Sequence, residues 1–139
     1  MNNGPIIVEH TYNAPSAMVW KAITDRDEMK QWYFNLAAFR PEVGFEFRFE
    51  GGPDHKKHLH ICVITEVITG KKITYSWRYD GYEGISHVTF ELFPDGDKTM
   101  LRLTHTGLDT FKEEDFARKN FMAGWDMIIN TNLKNYLEK

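Results

Sequence analysis

Two helical segments bracket a long run of strands, and this arrangement constrains the fold more than any other feature of the chain. Asn13-Ala14-Pro15 opens a helical stretch that carries Val19 and Trp20, and Ala123-Gly124-Trp125 sits inside a second helical run toward the C-terminus. The roughly 60 residues between them read as strands and tight turns. Helices at both ends of a strand meander bury their apolar faces in one compact way: a curved antiparallel sheet closes around the terminal helix. The expected fold is therefore α+β. It has six or seven antiparallel strands, two short helices after strand one, and a long C-terminal helix across the concave face. Residues 1–139 contain no repeat, low-complexity segment or linker and read as one domain.

The local signals are specific. Ile6 to Tyr12 is rich in β-branched and aromatic residues and stops at Asn13-Ala14-Pro15. Pro15 suits the start of a helix, where a missing N–H costs nothing. Val19, Ala22 and Ile23 make that helix one-sided. Asp25 reads as the N-cap of a second helix with Glu28 as capping-box partner, and Met29, Trp32 and Tyr33 as its apolar face. Phe45, Phe47 and Phe49 alternate with charged residues, as do Ile73, Tyr75, Trp77 and Tyr79 with polar ones; Val88, Phe90 and Leu92 form a third stripe. Leu59 to Ile68 is apolar on both parities, which indicates a strand without indicating its facing. Gly51-Gly52-Pro53-Asp54 and Gly70 mark turns, and Pro94-Asp95-Gly96-Asp97 marks a hairpin leading to Leu101, Leu103 and His105. Thr110 and Glu113 suggest a second capping box, with Glu114 and Asp115 adding negative charge at the start of a helix that carries Phe121, Trp125, Ile128 or Ile129, Leu133 and Tyr136. Unbroken, it would run roughly 40 Å at about 1.5 Å per residue.

Composition narrows the function classes. A formal charge of −3 and the lack of a Lys/Arg block leave no basic face for nucleic acid or anionic membrane. No apolar run reaches membrane-spanning length, and the short polar start, Met1 to Pro5, has no signal core. The single cysteine, Cys62, forms no internal disulfide and suits a reducing compartment, so a cytoplasmic location is expected. Ser16, Ser76 and Ser86 lack the flanking glycines of a nucleophile elbow, and Gly51-Gly52 is too short for a phosphate loop. Asp126 is rotated about 100° from Trp125 on a helix and reads as solvated. His55, His58 and His60 sit on a turn and the following strand, and His58 and His60, at i and i+2, have a spacing that can hold zinc or copper; with no Cys or carboxylate at a matching short spacing except Asp54, the segment reads as a solvated hairpin tip. No catalytic residue, metal or cofactor is expected. Gly124 costs about 1 kcal/mol against Ala in a helix, which points to close packing against Trp20 or a strand, or to a gap left for a ligand.

Tyr12-Asn13-Ala14-Pro15 with Val19-Trp20-Lys21-Ala22, Trp32-Tyr33, Tyr75-Ser76-Trp77-Arg78-Tyr79, Leu103-Thr104-His105-Thr106-Gly107 and Ala123-Gly124-Trp125 come in an order that resembles a known family over residues 6 to 137. It is the bacterial "activator of heat-shock-protein-ninety ATPase, C-terminal-like" family of the START-like or SRPBCC superfamily, whose fold is the helix-grip. The resemblance implies a hydrophobic cavity between the sheet and the C-terminal helix. Its candidate lining is Trp32, Phe47, Phe49, Tyr75, Trp77, Tyr79, Phe90, His105, Phe121 and Trp125. The function implied first is binding of a small hydrophobic molecule by a monomer or homodimer, without membrane insertion. Two alternatives stand beside it. One is a cyclase or dehydratase acting on a polyketide-like chain, with His105 or a tyrosine moving a proton. The other is a stress-related co-chaperone module, a chaperone link carried by the family name alone, since this chain has no room for the eukaryotic activator's separate N-terminal chaperone-binding domain.

Overall fold

The computed structural model describes residues 4–51, 57–112, 116 and 118–138. In chain order the elements are β1 (Ile6–Tyr12), α1 (Ser16–Thr24), α2 (Arg26–Trp32), β2 (Glu46–Gly51), β3 (His58–Ile68), β4 (Lys72–Tyr79), β5 (Ser86–Asp95), β6 (Lys98–Thr106), α3 (Arg118–Met127) and α4 (Leu133–Leu137). The six strands form one sheet in the order β1-β6-β5-β4-β3-β2, with every neighbouring pair antiparallel. β1 and β2 follow each other in sequence yet form opposite edges of the sheet. α1 and α2 therefore carry the chain from one edge to the other.

Strand parity survives folding. Phe47, Phe49, Ile73, Tyr75, Trp77, Tyr79, Val88, Phe90, Leu92, Leu101, Leu103 and His105 are all buried. The mixed parity of β3 has a local cause. Ile64 pairs with Tyr75 and Glu66 with Thr74, so Thr65 is an extra residue, a β-bulge that resets which side chains face inward. Before it, His60 lies opposite Phe49 and Tyr79, and Cys62 opposite Phe47. Asp95 pairs with Lys98 across the hairpin tip, where Gly96 adopts φ +64°.

Both expected capping boxes are corrected. The Asp25 carboxylate does cap α2, accepting from Asp27 N at 2.8 Å, but Glu28 turns away from the helix start. Its carboxylate accepts from Tyr136 Oη at 2.9 Å and pairs with Lys21 at 3.5 Å, tying α2 to the terminal helix instead. Thr110 caps no long helix. It ends a 3-10 turn, Leu108–Thr110, and its hydroxyl accepts from Ile85 N at 2.9 Å while facing the carbonyls of Gly107 and Ile85 at 2.8 and 2.9 Å. That loop-to-loop clamp uses the oxygen a cap would need. Glu113, Glu114 and Asp115 lie outside the described residues, as do Gly52, Pro53, Asp54, His55 and Met1 to Asn3.

The terminal helix is shorter than the sequence suggests, about 30 Å over Arg118–Leu137. Trp125, Ile129, Leu133 and Leu137 are its buried positions, at steps of four. In an ideal α-helix each such step rotates the face by about 40°. A wider π turn over Ile128–Asn132 takes up this drift and keeps one stripe on the sheet. Tyr12 Oη donates to the Ile129 carbonyl within that turn at 2.6 Å, and His10 Nδ1 lies 2.9 Å from Asn130 Oδ1. Gly124 faces open space: a Cβ placed there meets nothing within 4 Å, so the expectation of close packing is overturned. Among the described residues, no helix is long and apolar enough to cross a membrane.

Candidate functional site

The concave face is an aromatic layer. β2 contributes Phe47 and Phe49, β4 Tyr75, Trp77 and Tyr79, β5 Phe90, and β6 His105, while α2 presents Trp32 and α3 presents Phe121 and Trp125. All ten residues read from the sequence fall in this layer; Phe121 is half-buried and the other nine are buried. Trp125 lies 5.7 Å from Trp77 and 6.0 Å from Phe90 between ring centroids, Phe47 lies 5.0 Å from Tyr75, Phe49 5.7 Å from Trp77, and Phe121 4.9 Å from His105. Trp32 joins through Tyr33, on which it stacks at 5.0 Å.

Polar atoms inside this layer are matched with care. Trp32 Nε1 donates to the Ala22 carbonyl at 3.0 Å, and Trp77 Nε1 to Tyr79 Oη at 2.9 Å. Trp125 Nε1 donates to His105 Nδ1 at 2.9 Å. An indole N–H can only donate, so His105 Nδ1 accepts and the imidazole proton sits on Nε2. From there it reaches Ser86 Oγ at 2.8 Å, and the Ser86 hydroxyl donates to the Trp77 carbonyl at 3.1 Å. This chain of donors ends on the backbone with both imidazole nitrogens occupied. Burial, with His87 adding like charge, pushes the His105 pKa down to about 3. His105 is thus a neutral strut between sheet and helix.

His60 corrects the reading of a solvated histidine cluster. It is buried, stacked on Phe49 at 4.4 Å and set edge-on to Trp77 and Tyr79 at 5.1 and 4.6 Å. Its Nδ1 donates to the His58 carbonyl at 2.9 Å, and burial pushes its pKa down to about 4. His58 is half-buried against Tyr79, Tyr82 and Phe116. Among the described residues no group of three or more His, Cys, Asp or Glu side chains is placed to hold a metal. Cys62 is buried, and burial raises its thiol pKa far above the ordinary value, which keeps it protonated and inert. Asp126 is exposed, where it accepts from Asn130 Nδ2 at 2.7 Å.

Sequence reading missed four members of the layer. Tyr33 reads from the sequence only as part of the apolar face of the second helix, Phe34 and Phe116 come from segments without regular periodicity, and His60 from the strand of mixed parity. Tyr33 is the most central. Its ring has Trp32, Phe34, Phe49, Phe90 and Trp125 around it at 4.6 to 6.5 Å. Its hydroxyl lies 2.6 Å from Tyr75 Oη. Burial raises both phenols well above their ordinary pKa, so both stay protonated. The Trp32-Tyr33-Phe34 run was the signal available, three aromatic residues where a helix ends.

The same architecture recurs in solved bacterial proteins. Protein MLL2253 from Mesorhizobium loti is 24% identical, with a TM-score of 0.79 and 96% of each chain covered. Protein CV1439 from Chromobacterium violaceum is 21% identical, with a TM-score of 0.82 over 100% of this chain and 99% of that one. CalU16 from Micromonospora echinospora is 27% identical, with a TM-score of 0.75 over 96% of this chain and 75% of that one. None of the curated proteins compared by sequence matches the chain. The family model described as "Activator of Hsp90 ATPase homolog 1-like protein" matches residues 13–138. With nearly its whole length matched and the helix-grip architecture in place, the chain belongs to the Activator of Hsp90 ATPase homolog 1-like family.

Proposed function

We propose that this protein binds a small apolar molecule within the aromatic layer, between the concave face of the sheet and the terminal helix, and carries out no covalent chemistry on it. The observation that carries this reading is the continuity of the layer. Rings from β2, β4, β5, α2 and α3 meet in one network, with phenol hydroxyls set among them. Ligand sites have this chemistry: mostly apolar and aromatic walls with a few oriented polar groups. The family and its superfamily are consistent with it. The cyclase reading is less well supported, because His105, the best placed acid–base candidate, has both nitrogens engaged and is held neutral.

Two measurements test the proposal. Nile red, a neutral apolar dye, should bind the folded protein with increased and blue-shifted emission, and should be displaced by extract from the native host. Native mass spectrometry of protein purified from that host should retain a small-molecule adduct. A protein that binds no dye and carries no adduct would refute the binding reading.

A further inference from the structure

The phenol hydroxyls of the aromatic layer supply more protons than its acceptors take up. Tyr33 and Tyr75 face each other at 2.6 Å, and either can be the donor. Each hydroxyl carries one proton, and one bond between them uses only one. Among the described residues neither hydroxyl makes a second hydrogen bond. Both oxygens are hydrogen-bonded, and no buried side-chain N or O among the described residues lacks a partner. The spare proton is therefore donor capacity held in reserve, set among the five aromatic rings that surround Tyr33.

Charge in the layer is equally informative. The buried polar residues among those described are His60, Ser76, Ser86, Thr99 and His105. None carries a positive charge that would offset a buried carboxylate or phosphate, and an unpaired buried charge is strongly disfavoured.

We propose that the Tyr33–Tyr75 hydroxyl pair is the specificity element of the binding site, donating one hydrogen bond to an acceptor oxygen of a neutral, largely aromatic ligand such as a ketone or aryl ether. This rests on the binding reading above and gives it a ligand class. The pair polarises itself: the tyrosine that accepts from its partner becomes the better donor toward the ligand. Tyr79 is the alternative donor, since its hydroxyl accepts from Trp77 and its own proton is also unmatched. It is less suited, being stacked face to face on Phe116 at 3.7 Å.

The test uses probes of matched shape: benzophenone, which has a carbonyl; diphenylmethane, which has a methylene in its place; and diphenylacetate, which is anionic. Affinities are measured by tryptophan fluorescence and calorimetry. The wild type should prefer benzophenone over diphenylmethane by about 2- to 10-fold, the range of one net hydrogen bond, and bind diphenylacetate weakest. Tyr33→Phe/Tyr75→Phe should bind both neutral probes equally, with diphenylmethane unchanged. Removing both partners of a hydrogen bond while keeping ring shape is nearly neutral for stability, so this variant is expected to fold. In the wild type, which needs no variant to fold, the carbonyl stretch of bound benzophenone should move to lower frequency. Equal wild-type affinities with an unshifted stretch would overturn the hydroxyl assignment while leaving the binding reading intact. A preference that survives in the double variant and vanishes in Tyr79→Phe would overturn it in favour of Tyr79. Tightest binding of diphenylacetate would overturn the neutral ligand class. Binding of none of the probes, together with no Nile red binding, would instead refute the binding reading itself.

Discussion

Acidification should destabilise this protein well above the pH at which its carboxylates titrate, and the two buried histidines set the size of the effect. His60 and His105 have folded-state pKa values pushed down by burial to about 4 and about 3, against about 6.5 for a free imidazole. The neutral form is the one the fold holds. On lowering the pH, the unfolded chain therefore takes up protons first. Stability is fully present above about pH 6.5 and is lost as the pH falls through the window toward 4 for His60 and 3 for His105. With two protons taken up by the unfolded state, the slope in mid-window is about 2.7 kcal/mol per pH unit, and the loss between pH 7.5 and 5.0 is about 4 kcal/mol. That is a large part of the stability typical of a domain, about 5–15 kcal/mol. The folded protein keeps His105 neutral through this range, because a proton on Nδ1 would face the Trp125 indole N–H, donor against donor. Urea unfolding followed by tryptophan fluorescence reads this directly. With an m-value of about 2 kcal/mol/M, the midpoint should fall by about 2 M between pH 7.5 and 5.0. His105→Gln keeps an acceptor for Trp125 and a donor for Ser86 but cannot titrate, so it should start less stable and show about half the slope. A wild-type midpoint that moves by less than about 0.5 M over this range would refute the argument, because both imidazoles would then have to titrate freely in the folded protein.

Other perturbations separate packing from hydrogen bonding. Trp125→Ala should cost about 3–5 kcal/mol by thermal or urea melting, since the ring is buried against Tyr33, Trp77 and Phe90. Trp125→Phe keeps most of the ring and leaves His105 Nδ1 without its donor, for a cost of about 1–3 kcal/mol. Gly124→Ala should raise stability by up to about 1 kcal/mol, because the added methyl meets open space and helix propensity improves; a lowered melting temperature would count against the exposed placement. Gly84→Ala should do the opposite, by at least about 2 kcal/mol. Its φ is +108°, and a Cβ there would sit 2.6 Å from the Phe111 ring and 2.7 Å from the Thr110 carbonyl, forcing apart the clamp between Ile85 and Thr110.

The sequence alone determined what depends on neighbours in the chain. Side chains alternate across a strand with a fixed period of two, so Phe47 with Phe49, and Tyr75 with Trp77 and Tyr79, had to share a face once the strands formed. The one-sided α1 with Val19, Ala22 and Ile23, the Gly96 hairpin and the inward His105 follow from equally local rules. What the tertiary structure decided lies in contacts between residues far apart in sequence. Glu28 leaves its own helix for Tyr136, 108 positions on; Thr110 grips Ile85, 25 positions back, and so ends a short turn instead of starting a long helix. His60 is buried because its strand pairs with β2 and β4 on either side, which no pattern within Leu59–Ile68 could reveal. The identity of His105 as a neutral strut, and of Tyr33 as the centre of the aromatic layer, depends on partners brought together only by the closing of the sheet around the helix. Hydrogen-bond partners are chosen by three-dimensional proximity, whereas periodicity is a property of the chain, and that difference divides what could be read from what had to be seen.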